Sequence, residues 1–277
     1  MHRRLTILAA VAAATIVLTG CTAPAEQPAA TAKAARGTPT AEAVDQHVGK
    51  DLQLTGEAVT DERGVYKKVE LAADAPALNL DSITPTDLSK FSEADAKSAA
   101  TWALRFEADQ AIDSIALDDG TAGWEKWKTD VAPEYVINNS VLATAPTSDH
   151  AVVVNTNLFG AFPATVRDGG PRMTKDTSLA VKAISEYTEN STPMLSVTGT
   201  SNVPYRVTAA GARQILKDHT EMKTDAAIDE HYPFMSAERD VTMLVKQDWT
   251  LNLAKTSSNG GWGITGQKVH NTGDFAE

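Results

Sequence analysis

The chain has 277 residues, 42% of them hydrophobic, a formal charge of −11 and one cysteine. An acidic chain without a lysine or arginine cluster has no cationic excess to displace counterions from phosphates, so nucleic acid is not an expected partner. One cysteine excludes an internal disulfide and a zinc site built on several cysteines, so the fold rests on a hydrophobic core; about 230 ordered residues suffice for one large domain or two small ones.

In chain order, Met1-His2-Arg3-Arg4, the apolar run Leu5 to Leu18 and the small residues after it read as a secretory signal. The run is shorter than the ~20 residues a membrane span needs. Arg3-Arg4 lacks the surroundings of a twin-arginine export motif, and an ordinary cleaved signal is the plainer alternative to lipidation. Leu18-Thr19-Gly20-Cys21 resembles the lipobox of bacterial lipoproteins. That resemblance implies that Cys21 is lipidated, becomes the first residue of the mature chain, and holds it to the extracytoplasmic face of the cell membrane. Loss of Arg3 and Arg4 with the signal would take the formal charge from −11 to −13. Two acyl chains anchor stably where one binds only marginally. With Cys21 carrying lipid, no Cys–His nucleophile pair is available.

Thr22 to Thr40 is rich in alanine, threonine and proline and cannot bury enough surface to offset its ordering entropy. It reads as a disordered tether with a typical reach of ~25 Å. The expected organisation is a signal peptide over 1–20, a lipid-anchored linker over 21–45, a hairpin and loop over 46–90, and an α+β domain over 91–277.

Residues 50–72 predict a β-hairpin: Leu52 and Leu54 alternate with polar neighbours, Asp61-Glu62-Arg63-Gly64 supplies the turn, and Val65, Val69 and Leu71 resume the pattern. Residues 73–91, with Pro76 and Pro85, read as a loop. Ser92 then caps a helix running to about Leu117, with Asp95 as a capping-box partner. Ala100, Leu104, Ala108, Ala111 and Ile115 share one face, beside Trp102 and Phe106. A second helix is expected from Thr121 to about Pro133, carrying Trp124, Trp127 and Val131.

Beyond residue 140 the pattern is mainly strand. Ala151 to Asn155 is a short β-branched run. Leu179, Val181, Ala183 and Tyr187 alternate with Lys182, Glu186 and Thr188, and Leu195 to Val207 alternates likewise. Pro204 inside that run demands a bulge or an edge. Val241 to Leu253 is the clearest strand, and Asn259-Gly260-Gly261 turns it into Trp262-Gly263-Ile264, which continues to about His270. Residues 209–238 fit either a helix starting at Ala209 or a long excursion. Two-faced alternation implies an antiparallel sheet covering its core on one side.

The fold class is therefore α+β, with two helices packed on a curved antiparallel β-sheet and a small N-terminal β-hairpin. The features Trp102 to Leu117, Trp124 to Val131, and the Asp248-Trp249-Thr250 and Gly261-Trp262-Gly263-Ile264 hairpin resemble the NTF2-like cone. The whole chain is similar to lipoproteins of high-GC Gram-positive bacteria. The cone fold hosts dehydratases, isomerases, adaptors and binding modules, so it does not choose among them.

Several clusters of polar side chains are candidates for chemistry. His219, Glu221, Asp225, Asp229, Glu230 and His231 are dense in metal-ligating types, but the two histidines lie twelve apart and a solvated acidic stretch is the better reading. No metal and no cofactor is expected. Asp109 and Asp113 sit one helical turn apart near Glu107, although Arg105 and Lys97 favour an exposed charged face. The cone resemblance implies an Asp, His or Tyr in its pocket, for which Asp109, Tyr135, Tyr187 and Tyr205 are the candidates; no catalytic residue is assigned. The five tryptophans read as core. No Gly-x-Ser-x-Gly surrounds any serine, and Gly169-Gly170 before Pro171 is a turn.

The expected function is a membrane-anchored extracytoplasmic lipoprotein that binds or scaffolds an envelope or secretion protein without catalysis. The alternatives are a small-molecule binder using the cone cavity and, third, an NTF2-like hydratase or isomerase.

Overall fold

The computed structural model describes residues 48–61, 64–114, 120–138, 171–173, 177–236, 239–257 and 261–276. All of them fall within the unit Pro39–Glu277. The signal, Cys21, the tether, the Ala151–Asn155 run, Gly169-Gly170 and the Asn259-Gly260 turn lie outside the described residues. The α+β class holds: a two-stranded hairpin, and a four-stranded antiparallel sheet whose strands pair in chain order.

Strands β1 (Leu52–Asp61) and β2 (Gly64–Leu71) form the hairpin that their alternation predicts. Leu52 and Val69 are fully buried and join the same core as the helices. Asp51, at the hairpin base, is buried too. Its Oδ1 accepts the Ala77 N–H at 3.0 Å and its Oδ2 the Leu179 N–H at 3.1 Å. One carboxylate thus ties the hairpin to the 3-10 turn Pro76–Leu78 and to the start of the main sheet.

Helix α1 (Glu93–Phe106) begins with the expected capping box, Ser92 and Asp95 each accepting the other's backbone N–H. Past Phe106 it widens into a π-helical turn, Glu107–Ile112. A π turn inserts a residue, which rotates the side chains that follow out of α-helical phase. Glu107 lies on the Ala100 and Leu104 face, whereas Gln110 and Asp113 follow Trp102 and Phe106. All three are buried with Ala108 and Ala111 because this stretch is packed on nearly every side, so the exposed charged face expected there does not form. The second helix is two: α2 (Gly120–Asp130) and α3 (Ala132–Tyr135). Pro133 opens α3 instead of closing α2. Lacking an N–H it cannot extend α2, whereas a first helical turn needs none.

In β3 (Ser178–Glu189) the expected phase is corrected after Val181. A register shift between Val181 and Ala183 leaves Lys182 and Ala183 both exposed, so Ile184 and Glu186 turn inward. The Glu186 carboxylate accepts from Ser89 N–H at 2.7 Å, Ser89 Oγ at 2.6 Å, and Lys90 and Phe91 N–H, clamping the approach to α1. Burial pushes this carboxyl up, but those hydrogen bonds outweigh it and hold its pKa at about 2.

Strand β4 (Thr192–Val207) pairs with β5 (Val241–Lys255) without a break through Pro204, opposite Leu244. No bulge is needed because β3 starts opposite Asn202. The Arg206 N–H points to that vacated side, donating to the Arg172 carbonyl at 2.7 Å. Pro204, two residues earlier, turns its nitrogen the same way, so the strand is locally an edge. Strand β6 (Trp262–Ala276) runs beyond His270, and completes the sheet.

Between β4 and β5 the chain makes two further helices, α4 (Ala209–His219) and α5 (Asp225–His231). The expected two helices become five α-helices among the described residues. Thr208 and Thr224 cap the new pair, accepting from Gly211 and Ala227 N–H. Their Ala212, Leu216 and Ile228 join the core.

Candidate functional site

Two places in the fold hold polar side chains that the core does not explain. The first is the π turn. Asp109 accepts the Leu71 N–H at 3.2 Å, docking the turn on the hairpin. Burial raises its carboxyl to about 6 against the opposing charge of Lys68. Tyr135 is half-buried against Phe106 (5.4 Å between ring centres) and Trp102 (5.9 Å), and its hydroxyl accepts from Gln110 Nε2 at 3.5 Å. Burial and then the Asp109 charge raise its pKa. Tyr205 is fully buried and donates to the Ile112 carbonyl at 2.9 Å, at the end of the same turn. Tyr187 goes elsewhere: its hydroxyl donates to Met194 Sδ at 3.3 Å within the β3–β4 hairpin. Three of the four candidates, Asp109, Tyr135 and Tyr205, therefore border the π turn and one does not.

Glu107 was not singled out as a site residue, although it is the most unusual group there. It is fully buried, neither carboxyl oxygen has a hydrogen-bond partner, and burial raises it to about 8. It is protonated at neutral pH. The raised value means that its contribution is intact below the unfolded pKa of ~4.3 and is lost as pH climbs towards 8. The loss at pH 7 is about 4 kcal/mol, from 1.36 kcal/mol per pH unit. Accordingly, Glu107→Gln should shrink the stability lost between pH 5 and pH 8 by about that amount. Urea midpoints at the two pH values measure it; an unchanged loss would contradict a buried neutral Glu107.

Trp127 Nε1, Trp249 Nε1 and the Gln267 amide are likewise buried without partners. All five tryptophans are buried, as core packing requires. The acidic stretch after α4 is tied down by cations: Arg213 Nη1 meets Asp225 at 3.1 Å, Arg213 Nη2 meets Asp229, and Lys217 meets Asp225 at 2.9 Å. Among the described residues no group of three or more His, Cys, Asp or Glu is placed to hold a metal ion. No helix among them is long and apolar enough to cross a membrane.

The second place is the outer face of the sheet. In β5 every second residue from Val241 to Leu253 is buried, Gln247 included, which turns Lys246 and Asp248 outward. Register aligns Asn202, Lys246 and Thr272 in one row and Thr200, Asp248 and His270 in the next. The bulge in β3 adds Lys182, whose Nζ lies 3.6 Å from Asp248. These residues line a cleft of about 300 Å3 that crosses all four strands. Lys246 and Asp248 were legible as exposed strand positions; their grouping with Lys182 and His270 depends on register, which no single strand encodes. No family model, curated protein or solved structure matches this chain.

Proposed function

We propose that this chain is a membrane-anchored extracytoplasmic lipoprotein whose α+β domain is a non-catalytic binding or scaffold module for an envelope protein, with the outer sheet face as its binding surface. The observation that carries this reading is the contrast between the two faces. Trp249, Leu251 and Leu253 are wholly buried on the inner face, whereas the outer face offers a polar cleft to solvent. The lipobox-like Leu18-Thr19-Gly20-Cys21 and the tether behind it support the address. Helices over one face of a bulged four-stranded antiparallel sheet support an NTF2-like architecture.

A photo-crosslinker placed at Lys246 or Thr250 in cells should capture a specific partner, and one at Lys126 on α2 should not. Absence of a sheet-specific adduct would sink the binding reading. Anchoring has its own expected result: labelled palmitate enters the wild type and not Cys21→Ser, and equal label in both would end it.

One observation favours the rival reading of an interior pocket for a small molecule or hydratase-like chemistry. Glu107 and Asp109 are two carboxyls raised by burial, and Tyr135 lies within reach of the Asp109 charge. That reading requires access to Glu107. It predicts prompt deuterium exchange of the protonated carboxyl, followed by its infrared carbonyl band; exchange only on unfolding would exclude it.

A further inference from the structure

We infer that the cleft on the outer sheet face takes an extended acidic peptide segment; this rests on the sheet-face reading above and names the chemistry of its partner. The chain is strongly acidic at −11, yet the cleft carries Lys182 and Lys246 against the single carboxylate of Asp248, with His270 beside them. Asn202, Thr200 and Thr272 supply an amide and two hydroxyls. No Trp, Tyr or Phe lines the cleft, so it lacks the broad ring platform on which a sugar stacks.

Asp248 decides between anionic ligands. It stands in the row next to Lys246, 3.6 Å from Lys182, where it repels the concentrated charge of a phosphate dianion and offers an acceptor that a phosphate can meet only through a residual P–OH. An acidic peptide presents both complements, side-chain carboxylates for the lysines and backbone N–H groups for Asp248. Dimensions agree. Four strands at ~4.8 Å spacing make a cleft ~14 Å long, and residues two apart along a strand separate its rows by ~7 Å. An extended peptide rises ~3.3 Å per residue, so about four residues fill that length. Exposed lysines give modest attraction individually, screened over ~8 Å at physiological salt, so affinity should fall as salt rises.

The test uses the full-length chain in detergent and fluorescein-labelled tetraglutamate, read by anisotropy. Binding should weaken at least tenfold in Lys182→Glu/Lys246→Glu and less than twofold in Lys126→Glu, the same charge change on α2. Tetralysine should not bind, and inorganic phosphate should not displace the peptide at equal concentration. Failure to bind tetraglutamate, equal loss in Lys126→Glu, or displacement by phosphate would each overturn the inference. The two levels separate cleanly. Crosslinks from Lys246 without tetraglutamate binding reject the acidic peptide and keep the sheet face as a binding surface. Tetraglutamate binding without any cellular crosslink rejects the proposed function.

Discussion

Asp113→Ala should destabilise the protein by about 3–5 kcal/mol, the usual cost of breaking a buried ion pair by removing one member. Arg172 Nε donates to Asp113 Oδ1 at 3.0 Å, and the two side chains are 0% and 2% exposed. Arg172 also reaches the Ser114 carbonyl at 3.4 Å, and its own carbonyl takes the Arg206 N–H. The pair therefore bolts the end of the π turn to the flank of β4 that β3 does not reach, where Met173 bridges Tyr205. Removing the carboxylate leaves the wholly buried guanidinium with less compensation for its charge. Replacing both partners, Asp113→Leu with Arg172→Met, removes the charge along with its need and should cost far less. Urea denaturation of the single and double variants measures the difference. A double variant as unstable as Asp113→Ala would show that packing, and not the undercompensated charge, sets the cost.

Gly199→Ala should cost ~3 kcal/mol by overpacking, a large effect for one methyl group. Gly199 lies opposite Trp249 on the inner face, and a Cβ there would sit 2.0 Å from the indole Cζ2. The ring cannot swing clear, since Trp249 is fully buried. The space above Gly199 is thus part of the indole's seat, and it is how a four-stranded sheet accommodates so large a side chain at its centre. Trp249→Leu has its own cavity cost, on the order of 3–5 kcal/mol by analogy with Trp→Ala. In that background, however, Gly199→Ala should become nearly neutral. A coupling energy near zero across the four variants would refute the steric account.

What could be read from sequence divides along the range of the interactions involved. The Ser92–Asp95 capping box and the alternation of β5 are encoded within a few residues, and both form as expected. The inward turn of Glu186 is not local: it follows from a bulge set by pairing with β4, and is fixed by backbone donors nearly a hundred residues upstream. The π turn has the same character. Helical spacing already sets Glu107 on the Ala100 and Leu104 face, and its burial together with Asp113 on the other side of the turn follows from packing around the whole segment, which no local pattern encodes. Helices α4 and α5 did have local signals, the capping threonines Thr208 and Thr224, but Gly211 and the polar composition between them masked the apolar stripe. Among the candidate side chains, Asp109 and Tyr135 could be named from sequence, whereas their meeting at the hairpin depends on tertiary packing.

The chain's single cysteine makes a thiol-labelling experiment clean, because a lipidated Cys21 carries a thioether that maleimide does not attack. Cysteine would be placed singly at Lys246, Asp248, Gln247 and Lys126. Labelling with a membrane-impermeant maleimide would then be compared on the detergent-extracted full chain and on intact cells. The sheet-face account predicts prompt labelling at Lys246→Cys and Asp248→Cys in the extracted protein and slow labelling at Gln247→Cys. On cells, labelling at Lys246→Cys and Asp248→Cys should slow as a partner covers the cleft, with Lys126→Cys unchanged. Equal labelling of all three exposed positions on cells, or labelling at Gln247→Cys as fast as at Lys246→Cys, would contradict it.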